Sequence, residues 1–531
     1  MTTRYPSIES LEHLQAILSS RFDEGFLSLK DLPHPYTLKD MQKATKRITQ
    51  AIHGKQKIVL IGDYDVDGVV STALMKLFFD EIGVELTTII PNRFRDGYGL
   101  SSAIIPRIAD FDLAITVDNG ISAVEAAALC QRFGIELIIT DHHLLPPILP
   151  NAYAIVDQKQ SDCSFPYKEI CGAQIAWYLI ASLKIELGVE IDTKSYLELV
   201  AIAIIADVMP LRHINRAMVV AGLQRINQST HPALRAIKEK FGKENISSED
   251  VGFLIAPLLN SAGRIEDASF ALDFLSTRNI YEANAKLEVL IAFNTQRKNI
   301  EESITQKAIA NANPNENIIV TYGEDWNEGV VGIVAARVVN HFKRPAIILS
   351  QKGNQLKGSG RSYGECDLFE LVSESKGYLE KFGGHKAAIG LSLKLENFEN
   401  FKNTLHKSIQ ERGYSQNNVD DSIVGSMGFD LIDFRLTKML SQYEPYGHEN
   451  SKPKFITSDV EVVHFDRIGK NQEHLRMIVS HRGIHLSAIK FKCKREMKIG
   501  ERLNISYFVN ENHFRGEVSL QLMIDEIIQR G

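Results

Sequence analysis

Through the first third of the chain, short unbroken apolar runs alternate with segments whose apolar residues recur every three to four positions. The run KIVLI (57–61) precedes VVSTALMKLFFDEIG (69–83), in which Val70, Ala73, Leu74, Leu77 and Phe78 share one helical face. ELTTIIP (85–91) predicts a second strand, DLAITVDNG (112–120) a third and IELIITDHH (135–143) a fourth, with ISAVEAAALCQRFG (121–134) as a helix between the last two. Strands that are apolar on both faces and separated by helices predict an α/β unit, a mostly parallel sheet covered on both sides.

The pattern changes twice more. Segment 280–313 is periodic, rich in Ala, Leu, Glu and Lys and too long for a loop, so it predicts a connecting helix. NIIVTYG (317–323), a helix from Val330 to Phe342 and PAIILS (345–350) predict a second α/β lobe. From about residue 455 the texture is all-β: EVVHF (461–465), HLRMIVS (474–480), IHLSAIKFKC (484–493), RLNISYFV (502–509) and EVSLQLMIDEI (517–527) are separated by Gly or polar turns. A small barrel is expected there. If 484–493 is one strand, Ile489, Phe491 and Cys493 face inward, and Lys490, Lys492 and Lys494 form an outward row suited to a nucleic-acid backbone.

Polar residues punctuate this frame at chosen places. Asp63, Asp65 and Asp67 follow the first strand, Asp118 the third, and Asp141, His142 and His143 the fourth, the edge where open α/β sheets place their crevice. Asp207 is the one charge in VAIAIIADVMPL (200–211), where burial is costly without a proton, hydrogen bond or cation. Taken singly, each has an ordinary explanation: Asp-Gly and Asn-Gly make turns, and Asp207 can cap a helix. Together they supply oxygen and nitrogen ligands without sulfur, a set suited to Mn²⁺ or Mg²⁺, with zinc less favoured. A pair of such ions roughly 3.5–4 Å apart can activate water and stabilise the leaving oxygen of a phosphodiester.

Composition narrows the class. The 531 residues suffice for two to four domains. Five cysteines without a CxxC pair indicate neither a disulfide framework nor a thiolate zinc site. The formal charge of −6 gives no global pull on nucleic acid, so any such binding is local. The polar start MTTRYPSIESLEH, and apolar runs broken well short of the roughly 18 residues of a membrane span, predict a soluble, cytoplasmic protein without membrane contact.

DYDVDG (63–68), DNG (118–120), DHH (141–143) and Asp207 resemble the four motifs of the DHH phosphoesterase family. IADVMPLRHINR (205–216), LLNSAGRI (258–265), EGVVGIVAARVVNHFKRPAIIL (328–349), GSGRS (358–362) and FGGHKAAIG (382–390) are similar to segments of its RecJ branch, from about residue 40 to 400 and more weakly to the end. The resemblance implies a 5′-to-3′ exonuclease specific for single-stranded DNA, releasing 5′-mononucleotides with two Mn²⁺ or Mg²⁺ ions. It implies Asp65, Asp67, Asp118, His142 and Asp207 as main ligands, with Asp118 as the bridge and Asp63 and Asp141 in the same motifs; Asp63 ligates or orients the metal water. His143 would face the scissile phosphate. A DHHA1 domain would offer Ser359, Gly360, Arg361, Ser362, Gly383, Gly384 and His385 to substrate from glycine-rich turns, with Arg264 from LLNSAGRI, and the barrel would be of the OB type.

Two departures stand out: Asn327 occupies an expected substrate-contact position where relatives usually carry histidine, able to hydrogen-bond a phosphate or base without carrying charge, and YGHENSKPKF (446–455) replaces a more Gly- and Pro-rich turn. The expected division is 1–40 as an N-terminal extension, 41–279 catalytic, 280–313 connecting helix, 314–410 substrate-binding, 411–454 linking and 455–531 barrel. Implied partners are a single-strand-binding protein and a RecQ-type helicase in recombination and repair. A catalytically silent nucleic-acid-binding scaffold, or a phosphodiesterase of small nucleotides, is the alternative.

Overall fold

Four of the apolar runs form strands as expected, and a fifth joins them: β1 (Ile58–Ile61), β2 (Thr87–Ile89), β3 (Leu113–Val117), β4 (Glu136–Thr140) and β5 (Ala154–Val156). The computed structural model describes residues 5–413, 422–514 and 516–528. Residues 1–4 of the predicted extension, 414–421 of the predicted linking segment, and 515 and 529–531 of the predicted barrel lie outside the described residues.

The five strands are parallel in the order β2-β1-β3-β4-β5. Helices Met41–His53, Val66–Glu81 and Gly172–Leu187 bury Ile48, Leu74 and Leu179 against one face. Helix Val124–Arg132 buries Ala126 and Cys130 against the other, with Val59 and Ile61 of β1. The strand order reverses between β1 and β3, so the chain leaves these neighbours in opposite directions and a crevice opens at their carboxyl ends.

Helix Ile280–Asn311 runs from this domain to a second sheet, ordered β6-β7-β8-β10-β9. Its strands are β6 (Ile319–Glu324), β7 (Ala346–Lys352), β8 (Gln355–Arg361), β9 (Leu379–His385) and β10 (Ala388–Lys394). Here expectation and structure differ. Gly358 to Arg361 and Gly383 to His385 are strand, not turns, so β8, flanked by β7 and β10, spends its N–H groups in the ladder. Glycine serves packing instead: a Cβ on Gly358 would stand 2.0 Å from Ile348 O of β7.

The third unit is a closed barrel. Strands β12 (Lys454–Ile468), β13 (His474–His481), β14 (Ile484–Lys490), β15 (Arg502–Phe514) and β16 (Glu517–Ile528) join as β12-β13-β14-β16-β15, and β12 pairs with β15. β11 (Ile423–Ser426) lies parallel beside β12. The lysine row does not form. β14 ends at Lys490, whose Nζ donates to Asp525 O at 2.6 Å, and Lys494 lies beyond the strand. Lys492 takes a left-handed turn conformation, φ 49°, and the neighbouring Phe491 is exposed rather than inward.

No sequence pattern announces where the N-terminal segment goes. Ile8, Leu14, Leu18 and Phe22 are buried with Phe429, Leu436 and Val460 in the barrel's own core, and Ser7 bridges to Ser426. Arg216 of the first domain lies over the Phe26 ring at 4.0 Å and donates to Gln442 O and Glu444 O. Among the described residues no helix is long and apolar enough to cross a membrane.

Candidate metal centre and the cleft it faces

The turn after β1 brings in three carboxylates by different means. Asp65 caps helix Val66–Glu81, accepting from Gly68 N at 3.1 Å. Asp67, in that helix's first turn, accepts from Gly172 N at 2.6 Å and Ala173 N at 2.8 Å, the opening amides of helix Gly172–Leu187. Two helix N-termini thus stabilise one buried anion. Asp63 is buried with Oδ1 unpartnered, and Gly68 must be glycine because a Cβ would lie 2.6 Å from Asp63 Cα.

Asp118 follows β3 with φ 62°, a strained left-handed conformation for a non-glycine residue, which is tolerated here beside Gly172. A Cβ on Gly172 would come within 2.6 Å of Asp118 Cβ. After β4, His142 Nε2 stands 3.1 Å from Asp118 Oδ1, 3.6 Å from Asp67 Oδ2 and 3.7 Å from Asp207 Oδ2. Asp207 is the C-cap of helix Leu197–Ala206, so the lone charge read from the sequence does end a helix, and it does so inside the cluster.

Among the described residues, three sets have ligand atoms within 4.8 Å of one another: Asp63, Asp65 and Asp118; Asp67, His142 and Asp207; and Asp118, His142 and His143. Asp118 Oδ1, Asp207 Oδ2 and His142 Nδ1 have no hydrogen-bond partner. Burial raises the pKa of the Asp63 carboxyl well above the usual range, with Asp65 adding to it. Burial does the same to Asp118, aided by Asp67 and Asp65, and to Asp207, pushed up to about 9. Burial lowers the His142 imidazole, keeping it neutral and its lone pair available. Crowded buried carboxylates with open oxygens and a neutral imidazole are the donor set a pair of hard divalent cations requires.

Asp141 differs from the rest. Its Oδ2 accepts from Ile121 N at 2.8 Å, and its Oδ1 accepts from His142 N and from His143 Nδ1 at 2.6 Å, so both oxygens are occupied and it joins none of the three sets. Burial alone would lower the half-exposed His143, yet the Asp141 hydrogen bond and charge outweigh it and hold it up at about 9. His143 Nε2 meets the Tyr98 hydroxyl at 3.2 Å.

Tyr98 and His143 form one wall of a cleft of about 940 Å³; Lys357, Phe382, Gly383 and Gly384 of the second domain form the other. Beside it, Arg361 Nη1 donates to Ser359 Oγ at 2.8 Å, and both pack on Gly332 in the first turn of helix Val331–Phe342. Arg264 Nη1 donates to Gly329 O at 2.9 Å. Burial first, then the charges of Arg93, Arg297 and Arg361, bring the Arg264 guanidinium down to about 10, the signature of cations gathered together. Asn327 is spent locally, its Oδ1 accepting from Gly329 N. Ser362 Oγ donates to Cys366 O, and His385 Nδ1 accepts from Ala387 N. Sequence reasoning passed over Arg93 and Tyr98, although both follow β2 and the strand-end rule applied to the other motifs reaches them too.

Residues 57–204 match the DHH family, N-terminal domain, 315–411 the DHHA1 domain and 424–526 the RecJ OB domain. The chain is 31% identical over 561 residues to the single-stranded-DNA-specific exonuclease RecJ of Haemophilus influenzae, covering 99% of this chain and 96% of that one. The chain belongs to the RecJ branch of the DHH family. It is 34% identical over 519 residues to RecJ of Bacillus subtilis, covering 94% of this chain and 65% of that relative's length. A crystal structure of RecJ in complex with Mn²⁺ from Thermus thermophilus is similar with a TM-score of 0.79 at 27% identity, covering 93% of this chain and 72% of that one. Another from the same organism contains Mg²⁺. The RecJ OB match takes in β11 and helix Phe434–Ser441, upstream of the residue 455 at which the all-β texture begins.

Proposed function

We infer that the protein hydrolyses single-stranded DNA from its 5′ end, releasing 5′-mononucleotides, as a metal-dependent exonuclease. The observation that carries this is the convergence of Asp63, Asp65, Asp67, Asp118, His142 and Asp207 at the carboxyl edge of one parallel sheet, with buried unpartnered oxygens, next to the His143 that lines the cleft. Asp63, Asp65 and Asp118 would hold one cation, and Asp67, His142 and Asp207 a second. Two Mn²⁺ or Mg²⁺ ions there supply an activated water and neutralise charge on the scissile phosphate.

The side chains do the rest. Asp141 fixes the His143 ring, and the cationic His143 faces the phosphate, where it steadies charge and offers a proton to the departing 3′-oxygen. Arg264, Arg361 and Ser359 hold the neighbouring phosphate beside the N-terminus of helix Val331–Phe342, and Gly383 and Gly384 let the strand approach the opposite wall. Direction comes from that asymmetry, because hydrolysis needs only in-line geometry. Ser362, Asn327 and His385 brace their loops through Cys366 O, Gly329 N and Ala387 N. A cytoplasmic setting suits this substrate, with a single-strand-binding protein and a RecQ-type helicase to deliver it in recombination and repair.

The test is digestion of a single strand labelled at either end, with Mn²⁺ or with chelator. Early mononucleotide release from the 5′ end, dependent on Mn²⁺, is expected. First release from the 3′ end, or equal digestion of blunt duplex, overturns the reading.

A further inference from the structure

β5 carries no residue in the chemistry so far, yet its carboxyl end lies beside Asp141, His142 and His143: Thr140 pairs with Val156, and Asp141 N donates to Val156 O at 3.0 Å. The turn that follows β5 is rigidly built. Asp157 is buried, and its Oδ1 accepts from Lys159 N at 2.7 Å. Gln158 Nε2 donates to Lys168 O at 2.8 Å, and Gln160 Nε2 to Ile155 O at 2.7 Å. Lys168, the other lysine of this loop, spends its ammonium on Gln158 O and Cys163 O. Lys159 does not: it is half-buried, and among the described residues its Nζ has no hydrogen-bond or ion-pair partner. Burial dominates the shifts of His142, Asp207 and Asp157, and in each the Lys159 charge is also felt, lowering the imidazole and opposing the rise of the two carboxyls. The ammonium thus stands in the field of the Asp67, His142 and Asp207 set without closing on any of its oxygens.

We propose that Lys159 is a further substrate-contacting residue, its ammonium reaching the scissile phosphate on the side of the cation held by Asp67, His142 and Asp207 and neutralising charge on the phosphate oxygens in the transition state. The proposal rests on the exonuclease reading above and adds a residue to it. Charge balance calls for such a group. The carboxylates of Asp63, Asp65, Asp67, Asp118 and Asp207 against two divalent cations leave the loaded centre with one net negative charge, which repels the phosphate it must bind. A half-buried ammonium at that edge, with no anion of its own, offsets the repulsion. Lysine suits the place, because a compact charge on a flexible four-carbon stem can follow the phosphate oxygens as they move during in-line attack. The strand-end rule that finds the acidic motifs reaches Lys159 as well, once β5 is counted as a strand.

The test compares Lys159→Met and Lys159→Arg with wild type, as full chains, in two measurements. In steady-state digestion of oligothymidylate with Mn²⁺, Lys159→Met lowers kcat on the order of 30-fold with KM within about two-fold of wild type, and Lys159→Arg recovers most of the loss. In calorimetric titration with Mn²⁺ alone, Lys159→Met binds the metal about three-fold more tightly, because a cation has been taken from beside the ligands. Slower turnover with tighter metal binding is a pair of changes that a bracing role for the side chain would not produce. An unchanged kcat overturns the proposal, as does a fall in kcat with weaker Mn²⁺ binding, which marks a distorted ligand set. Lys159 lies outside the core, and unchanged thermal unfolding verifies that its replacement spares the fold. If wild type digests single strands and Lys159→Met digests them equally well, the Lys159 assignment falls alone. If wild type digests none, the exonuclease reading falls with it.

Discussion

Asp118 concentrates the residue-scale argument. It is buried, left-handed in backbone, unpartnered at Oδ1 and 3.1 Å from His142 Nε2. Its raised pKa means that the folded state holds a proton the unfolded state releases, so without metal this group loses stability as pH rises from the ordinary carboxylate range through the folded pKa. Asp118→Asn should therefore melt above wild type in chelator at pH 7.5. Mn²⁺ should raise the melting temperature of wild type more than that of the variant, and kcat/KM should fall on the order of 10³-fold. A metal-free variant melting below wild type would contradict this account. The acidic residues were legible because their strand-end positions follow from apolar runs alone. The exclusion of Asp141 was not, since adjacency to His142 says nothing about which oxygens are already hydrogen-bonded.

At the scale of elements, long periodic segments were read well and glycine-rich ones poorly. Helix Ile280–Asn311 matched the segment 280–313 because its period is sustained, whereas β8 and β9 carry Gly358, Gly360, Gly383 and Gly384 where close strand contact leaves no room for a Cβ at most of these positions, and glycine in a sequence reads as a turn. The connecting helix also holds a charge arrangement no pattern reveals. Buried Glu301 accepts from Arg297 Nη1 at 2.6 Å and pairs with Arg337 of helix Val331–Phe342. Glu301→Ala leaves Arg297 buried without its anion, and a loss of about 3 kcal/mol is expected in denaturant unfolding; a loss below about 0.5 kcal/mol would show the pair to be incidental. His231, at the N-cap position of helix Pro232–Phe241, is held down to about 4 by burial. Its folded pKa lies below the unfolded value near 6.5, so its contribution is intact above that value and is lost as pH falls from about 6.5 to about 4, by roughly 3 kcal/mol. His231→Asn, whose side chain suits an N-cap but does not titrate, should flatten stability across that window in urea melts.

For the molecule as a whole, the barrel packs against the catalytic domain through Arg216 and borrows its core from the N-terminal segment. The all-β texture was legible from residue 455, but the contribution of Leu14 and Leu18 was not, because an amphipathic helix does not name its partner. Deleting residues up to 27 should thus unfold the barrel, weaken binding of single-stranded DNA as much as removing residues beyond 455 does, and flatten its salt dependence. Wild-type DNA affinity in the N-terminal deletion, measured across a salt titration, would show that the segment is dispensable.

The bridge between Ser7 and Ser426 also has a consequence for synthesis. Helix Leu11–Ser19 has its apolar partners encoded more than four hundred residues later. At translation speeds of about 5 to 20 residues per second, that interval lasts roughly 20 to 80 s. Throughout it Leu14 and Leu18 lack these partners while the two α/β domains complete themselves, so the barrel closes after them and the apolar face of this helix needs cover, such as a chaperone, in the meantime.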